Sequence, residues 1–185
     1  YGTDDENDES DESDYDSLVY IAPFRHDQSD HIEQHSDILQ EFQGKKERYE
    51  VFRSTLTDLD AIEFPSTQKQ WKKFIWDTSC EPEYIAQIIE EEKDKLLLIY
   101  FTKWLSMAPD TNLIAWIWAI LTAIGPLESS GLALIRSLGK KAVKQLSMAP
   151  DEINLFKLCV IISLKFGQRD LLPTFTLSSQ PLTEQ

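Results

Sequence analysis

The chain has 185 residues, 42% of them hydrophobic, which suits one folded domain of common size. Its formal net charge is -14, but residues 1–16 contain nine acidic side chains and no basic one, which leaves only -5 for the rest. So acidic a segment is not expected to bind nucleic acid directly; it can attract a basic protein surface or simply stay hydrated. The longest apolar runs are too short to span a membrane, and we expect no signal peptide.

Residues 1–35 are predicted to form an acidic, largely extended arm. Up to Asp16 the arm consists almost entirely of Asp, Glu and Ser, which offer little surface to bury. Ser13 has Asp16 three residues later, a spacing that an acid-directed kinase can use, although a solvated tail explains the same composition. The run LVYIAPF, from Leu18 to Phe24, is a short apolar stretch in polar surroundings. It is suited to docking as a strand or a linear peptide.

Three histidines follow the apolar run. His31 and His35 stand four residues apart among aspartates, so on a helix they would share one face and approach a metal ion together. The stretch offers no cysteine ligand and no glutamate placed as a general base. We therefore interpret it as a polar linker and predict no metal site.

Helical periodicity predicts an all-α domain over residues 36–172, an irregular bundle of about six to seven helices. The first helix is expected from Ser36 to about Asp60, because apolar residues recur there at intervals of three, four and seven. A flexible tail, rich in Ser, Thr and Pro, is expected over residues 173–185.

Three shorter helices are predicted next. The first is opened by Thr67 and Gln70, which are spaced as a capping box. The second begins at Pro82, a residue that suits the first helical position. A charged run should break the helix before the third, LLLIYFTKWL, which covers residues 96–105.

The stretch from Asp110 to Gly125 predicts the central helix of the bundle, because it is apolar around nearly its whole circumference. Asp110 is expected to cap its start, and Gly125 with Pro126 to stop it. Its small residues, mostly alanines, allow another backbone to approach closely.

Two more helices complete the prediction, one over residues 128–145 and one that Asp151 caps and Gly167 ends. The hexapeptide LSMAPD occurs twice, at residues 105–110 and 146–151. Its spacing of 41 fits a HEAT-type repeat. The helices that follow the two copies do not match each other, so we favour two copies of one linker within a non-repetitive bundle.

The predicted helical core shows no arrangement of nucleophile, base or metal ligands that catalysis would need. All three histidines stand in the N-terminal stretch, and the glycines are isolated. Cys80 and Cys159 lie far apart, which indicates a reducing compartment without a disulfide framework, and the apolar setting of Cys159 indicates an inert thiol. The acidic segment lacks the order of a calcium loop. We predict no enzyme, no cofactor and no metal.

The predicted helices carry more apolar surface than their own core requires. The aromatic side chains of Tyr100, Trp104, Trp116 and Trp118 crowd a short span. Part of this surface must be core. The surplus predicts a groove that receives an amphipathic helix of another chain, with these aromatic residues as its anchors.

Four stretches, in order, resemble the Gemin two family, whose members bind the survival-of-motor-neuron protein. They are WKKF (71–74), IYFTKWL (99–105), WIWAILTAIGPLESSGLALIRSLGKKA (116–142) and KFGQRDL (165–171). The resemblance as a whole covers roughly residues 66–172, whereas residues 1–60 match weakly.

The resemblance implies a non-enzymatic assembly factor for spliceosomal small nuclear ribonucleoproteins (snRNPs), in the cytoplasm and the nucleus. It implies two protein partners: the N-terminal helix of the survival-of-motor-neuron protein, and the Sm proteins of an open five-subunit crescent. The acidic arm would suit the basic, RNA-facing surface of that crescent. No direct contact with nucleic acid or a membrane is expected.

The resemblance also implies structural or contact roles for particular residues: Trp71, Trp104, Trp116, Gln168, Arg169 and Asp170. One departure matters. Family members can carry a basic residue just before the central tryptophan, able to meet an acidic partner helix, where this chain has Ala115. A HEAT-like scaffold, or an acidic chaperone for another basic client such as histones, remains the alternative from the residues alone.

Overall fold

The computed structural model describes residues 28–107 and 109–172, with side chains from residue 35 onward. Within these ranges the chain forms seven α-helices, a short 3-10 turn and no strand, which confirms the all-α bundle. The elements are α1 (Gln28–Thr55), α2 (Gln68–Asp77), α3 (Pro82–Glu90), α4 (Asp94–Leu105), α5 (Thr111–Ala123), α6 (Ser129–Met148), α7 (Ile153–Lys165) and the 3-10 turn (Arg169–Leu171). Our predictions for Ser13, the LVYIAPF run and residues 173–185 lie outside the described residues.

Helix α1 begins eight residues earlier than the predicted Ser36 and ends before Asp60. Residues 28–35, which we interpreted as a polar linker, are therefore helical. Polar side chains such as Gln and Glu are good helix formers, so a helix can extend beyond its apolar face without any sequence signal of burial. At its C-terminal end the hydroxyls of Ser54 and Thr55 donate to the carbonyls of Val51 and Phe52, at 2.7 and 2.8 Å.

The starts of α2 and α3 follow the predicted signals. Thr67 is the N-cap of α2, and its hydroxyl oxygen accepts a hydrogen bond from the Gln70 backbone N–H at 3.3 Å. In a capping box the Gln70 side chain would accept from the backbone N–H of Thr67. Here it accepts from the backbone N–H of Ser66, one residue earlier, at 3.4 Å. Pro82 occupies the first turn of α3, and a turn containing Glu92, with φ of 54°, separates α3 from α4.

Helix α5 lies at the centre of the fold, as predicted. It packs against α1, α2, α3, α4 and α7. Its large side chains are fully buried at Leu113, Trp116 and Ile117. The carboxylate of Asp110 caps the helix by accepting from the backbone N–H groups of Asn112 and Leu113, at 2.9 and 3.1 Å. No described helix has the length and apolar character that crossing a membrane requires.

The two LSMAPD copies do not play the same structural role. Asp110 caps α5, but the N-cap of α7 is Glu152, and no side chain caps it. The prediction that Asp151 caps the last helix is therefore wrong. A tight turn, in which the Glu152 N–H donates to the Ala149 carbonyl at 3.1 Å, carries the chain past Asp151 before α7 begins. The predicted stop at Gly167 is confirmed, with a left-handed φ of 73°.

Candidate functional site

An open groove of about 510 Å³ runs between α1 and α5. One wall is a stripe of α1 side chains, Glu41, Lys45, Arg48, Tyr49 and Phe52. These residues fall four, three, one and three positions apart, so they lie on one face of the helix. The opposite wall is α5, through Ile114, Ala115, Trp118, Ala119 and Thr122. Cys80, Pro82 and Ile85, together with Asn154 and Lys157 of α7, complete the lining.

Small side chains on α5 keep the groove open. Ala115 is exposed and Ala119 is half-buried, although both belong to the most apolar helix of the fold. Below them Phe42 of α1 contacts Trp118 edge to face, with ring centroids 5.6 Å apart. The two helices therefore touch through large aromatic rings and leave space where α5 presents alanines.

Positive charge predominates at the rim of the groove. Lys45, Arg48 and Lys157 stand there against one carboxylate, Glu41. The Lys157 ammonium donates to Glu41 at 2.9 Å, and Lys45 lies 3.7 Å from the same carboxylate. The hydrogen bond from Lys157 is the main cause that holds the pKa of Glu41 below its ordinary value. An occupant with acidic side chains is favoured by this rim.

Trp118 combines burial with an unused hydrogen-bond donor. Its side chain is only 7% exposed, and the ammonium of Lys45 lies 5.2 Å from its ring centroid. Among the described residues, its indole N–H is the one buried side-chain polar group that has no hydrogen-bond partner. A buried donor without an acceptor costs roughly 1–3 kcal/mol of stability.

Comparison with known proteins identifies the family. A sequence model of the family described as Survival motor neuron (SMN) interacting protein 1 (SIP1) matches residues 2–169. The chain belongs to this family. The match confirms the resemblance drawn from the four motifs. A comparison with curated protein sequences gave no match.

The fold of this SMN-interacting protein 1 family member also occurs in a solved structure. A chain of "The 8S snRNP Assembly Intermediate" is similar over 75% of this chain and 74% of its own length. The TM-score is 0.60 and the sequence identity is 20%. At that identity the likeness shows a shared fold.

Of the four aromatic residues predicted from sequence, only Trp118 lines the groove. Trp116 is fully buried and its indole N–H donates to the Thr78 carbonyl at 2.8 Å. Trp104 is 3% exposed and packs between Trp76 and Tyr100, with ring centroids 5.6 and 5.5 Å away. The structure therefore does not bring these aromatic side chains together in one site.

The Gln168–Arg169–Asp170 turn is fastened to α6. Arg136 donates to the Gln168 side chain at 2.8 Å and to both carboxylate oxygens of Asp170 at 3.0 and 2.7 Å. The hydrogen bond from Arg136 lowers the pKa of Asp170. Arg169 is exposed. In this arrangement Gln168 and Asp170 hold the turn in place, and none of the three lines the groove.

Sequence reasoning missed the α1 wall of the groove. Tyr49 and Phe52 are among the recurring apolar residues that predicted the first helix, and Lys45 and Arg48 were not considered. Read at helical spacing, the stripe of two aromatics and two cations on one face was the pattern that could have revealed it. No group of three metal-binding side chains occurs in the part of the chain that the structure describes. Cys159 is deeply buried, which raises the pKa of its thiol to about 12 and leaves it unreactive.

Proposed function

We propose that this protein is a non-enzymatic assembly factor for spliceosomal snRNPs. Membership of the SMN-interacting protein 1 family supports a role in snRNP assembly. The fold shared with a chain of the 8S snRNP assembly intermediate agrees with that role. The identity of the partners rests on the groove and on the acidic segment of the sequence.

The first proposed partner is the N-terminal helix of the survival-of-motor-neuron protein, bound in the groove between α1 and α5. The observation that carries this proposal is the open, largely apolar groove itself, which Ala115, Trp118 and Ala119 of α5 line. From Glu41 to Phe52 the α1 wall is about 16 Å long, equal to about three turns of a bound helix. Such a length suits an amphipathic helix that places three or four apolar side chains in the groove.

Other residues of the groove supply the positive charge that Ala115 lacks at the position where family members can carry a basic residue. Ala115 lines the groove and offers no charge to an acidic partner helix. Lys45, Arg48 and Lys157 stand at the same groove and supply positive charge from the other walls. We therefore assign the acidic side of the partner helix to the α1 and α7 rim.

Within the predicted site we give the aromatic residues different roles. Trp118 is the direct contact. Trp116 and Trp104 act from the core, where they fix the helices that carry or support the groove. Tyr100, which packs on Trp104, and the Gln168–Arg169–Asp170 turn belong to surfaces that other subunits of the assembly could use.

The second proposed partner is the set of Sm proteins in the open five-subunit crescent. The nine acidic side chains within residues 1–16 support this proposal, because the RNA-facing surface of Sm proteins is basic. We place this activity in the cytoplasm and the nucleus. Pull-down of the intact chain is expected to recover Sm proteins in a salt-sensitive manner. Recovery of histones in their place would favour the acidic-chaperone alternative.

Isothermal titration tests the groove. A peptide with the sequence of the survival-of-motor-neuron N-terminal helix should bind the intact chain with micromolar or tighter affinity. Trp118→Ala should weaken binding by roughly 2 kcal/mol or more, while Tyr100→Ala, outside the groove, leaves affinity unchanged. Circular dichroism and thermal unfolding check that both variants fold. Equal affinity in Trp118→Ala, or a loss confined to Tyr100→Ala, would show that the groove is not the site.

A further inference from the structure

The groove begins close enough to the N-terminal segment of its own chain to be filled by it. Helix α1 starts at Gln28, and the first groove residue on α1, Glu41, follows thirteen positions later. That distance is about 20 Å along the helix axis. The apolar run Leu18–Phe24 lies only a few residues before the start of the same helix.

We propose that this run, LVYIAPF, folds back along α1 and occupies the groove when no partner is bound. The chain must reverse direction before Gln28, and residues 25–27 are needed for that turn. Extended chain covers roughly 3.3 Å per residue, so the six steps from Phe24 back to Leu18 cover about 20 Å, the same distance as from Gln28 to Glu41. Leu18 therefore reaches the Glu41 end of the groove, and the acidic residues before it continue along its rim.

The chemistry of the run matches the chemistry of the groove. Four acidic residues, Asp11, Glu12, Asp14 and Asp16, directly precede the apolar residues. The groove has an apolar floor next to Ala115 and Ala119 and a rim on which Lys45, Arg48 and Lys157 outnumber Glu41. An apolar segment with an acidic flank is therefore complementary to this surface in both hydrophobicity and charge.

The consequence is a groove that is occupied before its partner arrives. The partner helix must displace the run, so its apparent affinity is reduced by the fraction of molecules in which the groove is free. This regulatory consequence rests on the proposed function, since it requires the partner helix to use the same groove. The docking of the run itself does not.

Cys80 provides a natural reporter for the docked run. It lines the groove near Lys45, which acts on its thiol electrostatically, whereas Cys159 is buried and unreactive. Val19→Cys and Tyr20→Cys, made one at a time in the intact chain, place a second thiol on either face of the run. Because burial raises the pKa of the Cys80 thiol, crosslinking with a short bifunctional maleimide is done under mildly alkaline conditions.

The matched control keeps the tether and removes the docking residues. It carries the same introduced cysteine together with Leu18→Asp and Ile21→Asp. We expect an intrachain crosslink to Cys80, independent of protein concentration, in at least one of the two cysteine variants, and a yield about tenfold lower in the control. Equal yields in variant and control, or a crosslink only between two chains, would overturn the proposal.

Addition of the survival-of-motor-neuron helix peptide separates this inference from the proposed function. We expect the peptide to lower the crosslink yield and to bind the Leu18→Asp, Ile21→Asp variant about tenfold more tightly than the unmodified chain, if the run fills nine grooves in ten. A crosslink in a protein that binds no peptide upholds the docked run and overturns the proposed function. Peptide binding in a protein that forms no crosslink upholds the proposed function and overturns the docked run.

Discussion

The two sides of helix α5 differ although their sequence is almost equally apolar. The side with Trp116 is filled: its ring packs against Phe74, with centroids 5.8 Å apart, and its indole N–H is bonded to the Thr78 carbonyl. The side with Trp118 borders an open groove, and its indole N–H has no acceptor among the described residues. The difference teaches that burial alone does not separate a core tryptophan from a contact tryptophan. The hydrogen bond and the size of the neighbouring residues do.

The largest expected effect comes from removing the tryptophan of the filled side. Trp116→Ala creates a closed cavity and removes the shorter of the two hydrogen bonds to the Thr78 carbonyl, so we expect a loss of roughly 4 kcal/mol in the free energy of unfolding. Trp118→Ala should cost roughly half as much free energy of unfolding. The Trp118 ring borders open space, and the substitution also removes a donor that has no acceptor. Urea unfolding of both variants measures the difference. Equal losses would contradict the distinction between the two sides.

Filling the groove should separate binding from stability. Ala119→Leu places a larger apolar side chain in existing space, so we expect the free energy of unfolding to stay the same or rise by about 0.5–1 kcal/mol. Binding of the partner helix should fall by at least about tenfold, roughly 1.4 kcal/mol. Ala133→Leu on the exposed surface of α6 is the control. Undiminished binding by Ala119→Leu would place the partner elsewhere.

The filled side also depends on one polar side chain. The amide of Asn112 donates to the carbonyls of Ile75 and Thr78, at 2.6 and 3.3 Å. Asn112→Ala leaves these half-buried carbonyls without that donor, so we expect a loss of about 1–2 kcal/mol by thermal or urea unfolding. Asn154→Ala, a change of the same type at the open groove, should cost much less. The reverse order would mean that the groove is the better-packed side.

The smallest expected effect is a pH dependence from the groove rim. The pKa of Glu41 is lowered in the folded protein, chiefly by the Lys157 hydrogen bond. Its contribution to stability is therefore complete above the unfolded carboxyl pKa and is lost as the pH falls through the folded value. The pair is partly exposed, so the contribution is under about 1 kcal/mol. Between pH 7 and pH 3 the free energy of unfolding should fall less in Glu41→Gln than in the unmodified chain. Identical pH profiles of the two proteins would contradict the pairing of Glu41 with Lys157.

The helical architecture was readable from sequence, because capping residues and apolar periodicity are local signals. Thr67, Pro82, Asp110 and Gly167 mark helix ends where they were predicted. The start of α1 was not readable, because polar helix and polar linker have similar composition. Asp151 failed as a cap although its hexapeptide is identical to that before α5, because the backbone turn around Ala149 decides where α7 begins.

The site could be predicted only in part, because periodicity shows which side chains are apolar but not which of them pack against another helix. Trp104, Trp116 and Trp118 gave the same signal in the sequence, and only the packing of Phe42, Trp76 and Thr78 separates them. The α1 wall depends on contacts between residues more than sixty positions apart. No local pattern encodes such pairings.

The central claim is that the open side of α5 receives a partner helix at Trp118. Nitrogen–proton correlation spectra resolve the indole N–H signals of the five tryptophans. During titration with the survival-of-motor-neuron helix peptide, the Trp118 indole signal should shift because its side chain lines the groove, while that of the fully buried Trp116 stays in place. A Trp118 signal that does not move while the peptide binds, or a larger shift at Trp116, would contradict the account.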